Sequence, residues 1–165
     1  MGIEIDEVAA GVQLTVVSKI ARVGPLDIPG IVTGAAYTAN DQMGSVLRLA
    51  VPKAGIIRDA FFYDLSDQAL NKTLWVFRAN PVLAADNAAF ALDDVDIVNA
   101  EGVMLFSTWR DGVNGQLGIT TNVPLYYTAP SGYLFLAVQT AGTDTIAAGN
   151  VPKLSLLIEE QLLGT

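Results

Sequence analysis

The sequence predicts an all-β fold, a sandwich of about eight antiparallel strands with short helical turns in one connection. Three observations carry this expectation. Short segments rich in Val, Ile, Thr, Phe and Tyr recur along the chain, separated by turns such as Gly24-Pro25, Pro29-Gly30, Lys53-Ala54-Gly55 and Pro130-Ser131-Gly132. Several segments alternate apolar and polar residues with period two, as where Leu47, Leu49 and Val51 share one face and Arg48 lies on the other. The helical signals are confined to two brief stretches, residues 84–90 and 92–98. At 165 residues the chain has the length of one ordinary domain.

Taken in order, residues 1–11 read as an N-terminal arm and residues 12–165 as the folded domain. Ile3 and Ile5 alternate with acids, and Val8 follows them, a pattern suited either to a frayed terminus or to an arm that adds to the sheet edge of a neighbouring subunit. Acids stand where a signal peptide needs a basic region and an apolar run, so export is not expected. The β-branched residues of 12–23 predict a strand, and Gly24-Pro25 a loop after it. Residues 38–44 read as a polar turn closed by Gly44, residues 45–52 as a half-buried strand, and residues 56–65 as its return. Residues 66–72 read as a polar link.

Leu74 to Phe77 are apolar on both alternations, the mark of a strand with neither face freely in water, so one face is expected to be covered by a loop of the same chain or by another subunit. Asn80-Pro81 stops that strand, because proline has no N–H for the ladder. Asp86 and Asp93 are then placed as N-caps of single helical turns, with Asp94 and Asp96 favoured in a first turn by the helix dipole. Residues 102–109 read as a strand, Asp111-Gly112 and Asn114-Gly115 as hairpin dipeptides, and residues 117–127 as the returning strand. Residues 133–140, apolar on both faces, predict a central strand. Leu154, Leu156 and Ile158 alternate with Lys153, Ser155 and Glu159 in a last one.

Composition excludes several chemistries. With no cysteine and no histidine there is no thiol nucleophile, no disulfide, no Ser-His-Asp triad and no ordinary zinc site. A net charge of −8 with scattered Lys and Arg opposes nucleic-acid binding. Charged residues interrupt every apolar run before it reaches membrane-spanning length. Asp93, Asp94, Asp96 and Glu101 lack the spacing of a calcium hand, and Asp59, Asp64 and Asp67 read as solvated edge charges, since 59 and 64 fall on opposite faces of a strand. No catalytic residue, cofactor or metal is expected. The chain is nonetheless 52 % hydrophobic before its 15 glycines are counted, where about 45–50 % with glycine is usual, and only 16 % charged. Burial between subunits is the expected use of that surplus, with Ile3, Ile5, Val8, Trp75, Phe77 and Trp109 as candidate contacts to a second copy or another protein. A sugar-stacking role for Trp75 or Trp109 is the rival use of the aromatics.

A resemblance sharpens these readings. Residues 36–44, AYTANDQMG, then Gly55-Ile56-Ile57, then Leu74-Trp75-Val76-Phe77 followed by Asn80-Pro81, ADNAAF at 85–90 and Asp93-Asp94-Val95-Asp96 resemble, in content and order, a family of small jelly-roll proteins that decorate or cement the heads of tailed bacteriophages. The patterns AYxAxDxxG and LxLxLFxxxPxxxADNAAFxxxDxD recur there. This chain departs at Arg78, where an acid is more usual, and in its 24–34 loop. The resemblance implies a non-enzymatic jelly-roll protein made in the host cytoplasm and placed on the capsid exterior. It implies the major capsid protein as partner and a homo-oligomer, dimer or trimer. A tail, baseplate or head-fibre module on the same fold is the alternative.

Overall fold

The computed structural model describes residues 2–7, 12–17, 19–120 and 124–160. The elements in chain order are β1 (Gly2–Glu7), β2 (Val12–Val17), β3 (Lys19–Asp27), β4 (Gln42–Ala50), β5 (Ala54–Asp64), β6 (Lys72–Phe77), α1 (Asp94–Ile97), β7 (Ala100–Phe106), β8 (Trp109–Asp111), β9 (Gln116–Thr120), β10 (Leu125–Thr128), β11 (Tyr133–Thr140) and β12 (Lys153–Glu160). All pairings are antiparallel. One sheet runs β3-β12-β5-β9-β8, with β10 also on β5, and the other runs β4-β11-β6-β7. The fold is the expected all-β sandwich. Leu49, Leu74, Val76, Met104, Phe106, Leu134 and Leu136 from the second sheet meet Ile57, Ala60, Phe62, Leu154, Leu156 and Ile158 from the first in one apolar core. Within each strand these residues recur at every second position, which is what a pleated strand needs to bury a single face, except between Ile57 and Ala60, where β5 shifts register against β12.

The two-faced strands are the inner ones. β11 lies between β4 and β6, and β6 between β11 and β7. Elsewhere the chain changes partners more often than hydrophobic alternation reveals. The single strand expected at 12–23 is two: β2 pairs with β1 in a separate hairpin, with Ile3 opposite Val16 and Ile5 opposite Leu14, while β3 joins the first sheet through β12. The expected arm boundary at residue 11 therefore falls within a hairpin. Gly24-Pro25, expected as a loop, lies inside β3 with a cis peptide bond. β3 is an edge strand, so Pro25 deprives no ladder of a donor. Gly24 sits at φ +101 beside the register shift opposite Leu154 and Leu156, where an added Cβ would lie 2.6 Å from the Leu154 carbonyl oxygen.

The segments expected as one strand at 102–109 and one at 117–127 also divide. The first splits where the chain leaves β7 in one sheet to begin β8 in the other, and the second into β9 and β10, which pair with successive stretches of β5. A short apolar run carries the period of a strand but not the identity of its partner, so these breaks had no sequence signal.

Candidate contact surfaces and the polar clasps that shape them

Two of the segments that carry the resemblance, 36–44 and 85–90, are one structural unit. Asp86, expected as a helix cap, caps no helix. Its carboxylate accepts from the Tyr37 hydroxyl at 2.7 Å, the Gly44 amide at 2.5 Å and the Val32 amide at 2.9 Å. Around it the backbones interlock: Gln42 N–H donates to Ala88 C=O, Asn87 N–H to Gln42 C=O, and Phe90 N–H to Asn40 C=O. Gly44 is required here twice over, by φ +70 and by a Cβ position 2.5 Å from the Pro29 carbonyl oxygen. The polar turn expected at 38–44 thus ends inside a strand, since β4 already begins at Gln42. Asp41 closes the turn before it, accepting from both the amide and the hydroxyl of Thr38. Asp93 does cap α1, accepting from the Asp96 amide at 2.9 Å.

This clasp folds the β6–α1 connection over the outer face of β6. Phe77 is fully buried within the chain, and Trp75 stacks against Phe77 and Phe90 with ring centroids 6.3 and 5.4 Å away. The Trp75 indole N–H donates to Gln139 at 3.2 Å. Phe77 is therefore corrected from a subunit contact to an internal one: the chain's own loop covers the second face of the strand. Trp109 is turned inward as well, edge-on to Phe62 at 5.8 Å, and packs on the main core. Of the other candidate contacts, Ile3 and Ile5 lie on β1, and Val8 lies outside the described residues.

Among the described residues, a set of exposed apolar side chains lies on β7 and the turn before it. β7 is the last strand of its sheet, and Val103 and Leu105 stand outward, 47 % and 55 % exposed, while Met104 and Phe106 point into the core. Val95, Ile97 and Val98 are exposed on α1 and its cap, directly ahead of β7 in the chain. Val82 joins them, because its amide donates to Asp96 at 3.1 Å. Alternation in residues 102–106 was legible; which of its faces would stay uncovered was not.

Comparison with protein-family models, curated proteins and solved structures gives no match to this chain. Its chemistry is thus read from its own side chains. Among the described residues no group of three or more carboxylates is placed to hold a metal ion. Asp64, expected as a solvated charge, is buried and holds the turn after β5, accepting from the amides of Ser66, Gln68 and Ala69. An open groove of about 440 Å³ beside the β8–β9 turn is lined by Tyr63, Arg110, Asp111, Asn114 and Gln116, and neither tryptophan lines it.

The most enclosed ionic pair among the described residues has no signal in the sequence. Lys72, expected at the end of a polar link, begins β6 and is 1 % exposed, as is Asp144. The Lys72 ammonium lies 3.0 and 3.1 Å from the two Asp144 oxygens and donates to the Leu70 carbonyl at 2.6 Å. Phe62 and Trp109 rings flank it at 5.8 and 5.6 Å. Thr140 donates its hydroxyl to Asp144 as well. Burial pushes the Lys72 pKa down, and the Asp144 charge opposes that shift.

Two buried phenols make stability sensitive to alkali. Burial, with help from the Glu160 charge, pushes Tyr127 up to about 12, and burial with the Asp86 bond raises Tyr37 further. Above roughly pH 10 an unfolded tyrosine releases a proton that the folded state still holds, so stability is unchanged below that pH and falls as pH rises through it. The Tyr127 hydroxyl has no hydrogen-bond partner among the described residues. Tyr127→Phe is accordingly expected to be neutral or stabilising by about 1 kcal/mol at pH 7 and to flatten the alkaline loss, both readable from denaturant midpoints at pH 7 to 12. A clear loss of stability at pH 7 would contradict this.

Proposed function

We propose that this protein is a structural virion component, a jelly-roll module that decorates or cements the outer surface of a phage head by bridging subunits of the major capsid protein. The strand order supports the jelly-roll reading: the chain alternates sheets from β3 through β4 and β5 to β6, β7 pairs beside β6, and β11 and β12 return between earlier strands, as Greek-key connections do. The observation that carries the functional reading is the clasp at Asp86. Two of the segments that resemble the decoration family, 36–44 and 85–90, meet in space and hold a loop, with Asp86 spent on two amides and a phenol rather than aimed into a cavity. Such a signature marks shared architecture.

The contact surface proposed is the outer face of β7, Val103 and Leu105, with Val82, Val95 and Val98, replacing Phe77 and Trp109 in that role. Exposed apolar side chains grouped on a sheet face suit an apolar partner surface. Added contacts of this kind, repeated by symmetry, raise the free-energy cost of opening a shell. Purified protein added to heads that lack it is expected to co-sediment with them. Val103→Lys with Leu105→Lys should keep the melting temperature, since both side chains are exposed, and abolish co-sedimentation. Undiminished binding by the folded double variant would remove β7 from the interface; no binding by the unaltered protein would count against the decoration role.

A further inference from the structure

The Lys72–Asp144 pair is placed for chemistry as well as for attraction. The Lys72 nitrogen is held 3.0 and 3.1 Å from the two Asp144 carboxyl oxygens, beside the carbon to which it could bond, at a site almost closed to water. The two groups are brought together by different parts of the fold, Lys72 by the first residue of β6 and Asp144 by the turn after β11. Neither can drift, because Leu70 C=O holds the amine and the Thr140 hydroxyl holds one carboxyl oxygen, Oδ2. Two desolvated charges in such a site are costly, and the pair loses both if the ammonium passes a proton to the carboxylate.

We propose that Lys72 and Asp144 join in an intramolecular isopeptide bond, tying the start of β6 to the connection between β11 and β12. The proton transfer leaves a neutral amine and a carboxylic acid protonated on Oδ1. The Lys72 nitrogen attacks the Asp144 side-chain carbon, forming the C–N bond. The Thr140 hydroxyl, already directed at Oδ2, stabilises the oxyanion that develops there, as a fixed donor does in acyl transfer. The C–Oδ1 bond then breaks, and Oδ1 departs with the second amine proton as water. An ammonium and a carboxylate become one amide and one water, with no oxidant, nucleotide or other reactant. The product keeps the existing hydrogen bonds: the single remaining N–H faces Leu70 C=O, and the new amide oxygen faces Thr140. Phe62 and Trp109, on the amine's flanks, shield the site from the water that would reverse the reaction. The assignment is independent of the decoration role.

Intact mass spectrometry of the folded protein tests it. The expected mass is lower than that of the sequence by about 18 Da, one water. Tryptic digestion should show no cleavage after Lys72 and a branched peptide joining Lys72 to Asp144. Asp144→Ala and Lys72→Arg should both restore the full sequence mass, read on denatured chain so that folding is immaterial. A folded, unaltered protein of full sequence mass would overturn the proposal. So would a water deficit that survives Asp144→Ala, since a cyclised Asp111-Gly112 loses the same mass.

Discussion

Asp86→Ala is expected to destabilise the fold by about 3 kcal/mol, lowering the melting temperature by roughly 6–12 °C for a chain of this size. The substitution removes three hydrogen bonds to a charged acceptor and leaves the Tyr37 hydroxyl, on a fully buried residue, without a partner. A lost bond to a charged group costs about 1.5–3 kcal/mol in isolation, and water replaces part of it here because Asp86 itself is half-buried. The effect should reach beyond the loop. With residues 85–90 released, the cover over Trp75 is loosened, so the tryptophan fluorescence of the folded variant should shift to the red. Asp94→Ala, at an exposed acid on α1, serves as the comparison and should stay within about 0.5 kcal/mol. Equal stability of the two variants would show that the clasp is not a structural determinant.

The second large effect is expected at the buried pair. Lys72→Met leaves Asp144 enclosed with Thr140 as its remaining side-chain donor, and Asp144→Leu leaves the Lys72 ammonium enclosed with only a carbonyl. Either single change should cost at least about 3–5 kcal/mol, because it leaves a buried charge without its counterion and also removes the amide link proposed above. The double variant Lys72→Met with Asp144→Leu should be more stable than either single one, since methionine and leucine suit the neighbourhood of Phe62 and Trp109. Urea midpoints for the four proteins form a double-mutant cycle, and additive losses would deny the coupling.

The contrast between these sites and the strands explains what the sequence could convey. Strand positions are legible because burial of one pleated face imposes period two, so Leu47, Leu49, Leu154, Leu156 and Ile158 announce themselves. Breaks in the strands are not, because the same period continues through Thr108 while the chain changes sheets. Asp93 was legible as a cap since its partner lies three residues away. Asp86, with the same local appearance, serves partners at Val32, Tyr37 and Gly44, and only the folded topology brings them within reach. Lys72 and Asp144 look like ordinary loop charges for the same reason. Phe77 was read correctly as part of a strand covered on both faces, yet the cover is the chain's own connection, which apolarity alone does not distinguish from a partner subunit.

The proposed decoration role requires this sandwich to be held against a capsid by the exposed apolar face of β7. A density map of the phage particle tests it most directly. The account predicts one symmetric set of copies on the outer face of the head lattice, with β7 and the Val82–Val95 turn against the major capsid protein. Density for this chain confined to the tail or baseplate, or a head-bound copy with β7 facing solvent, would contradict it.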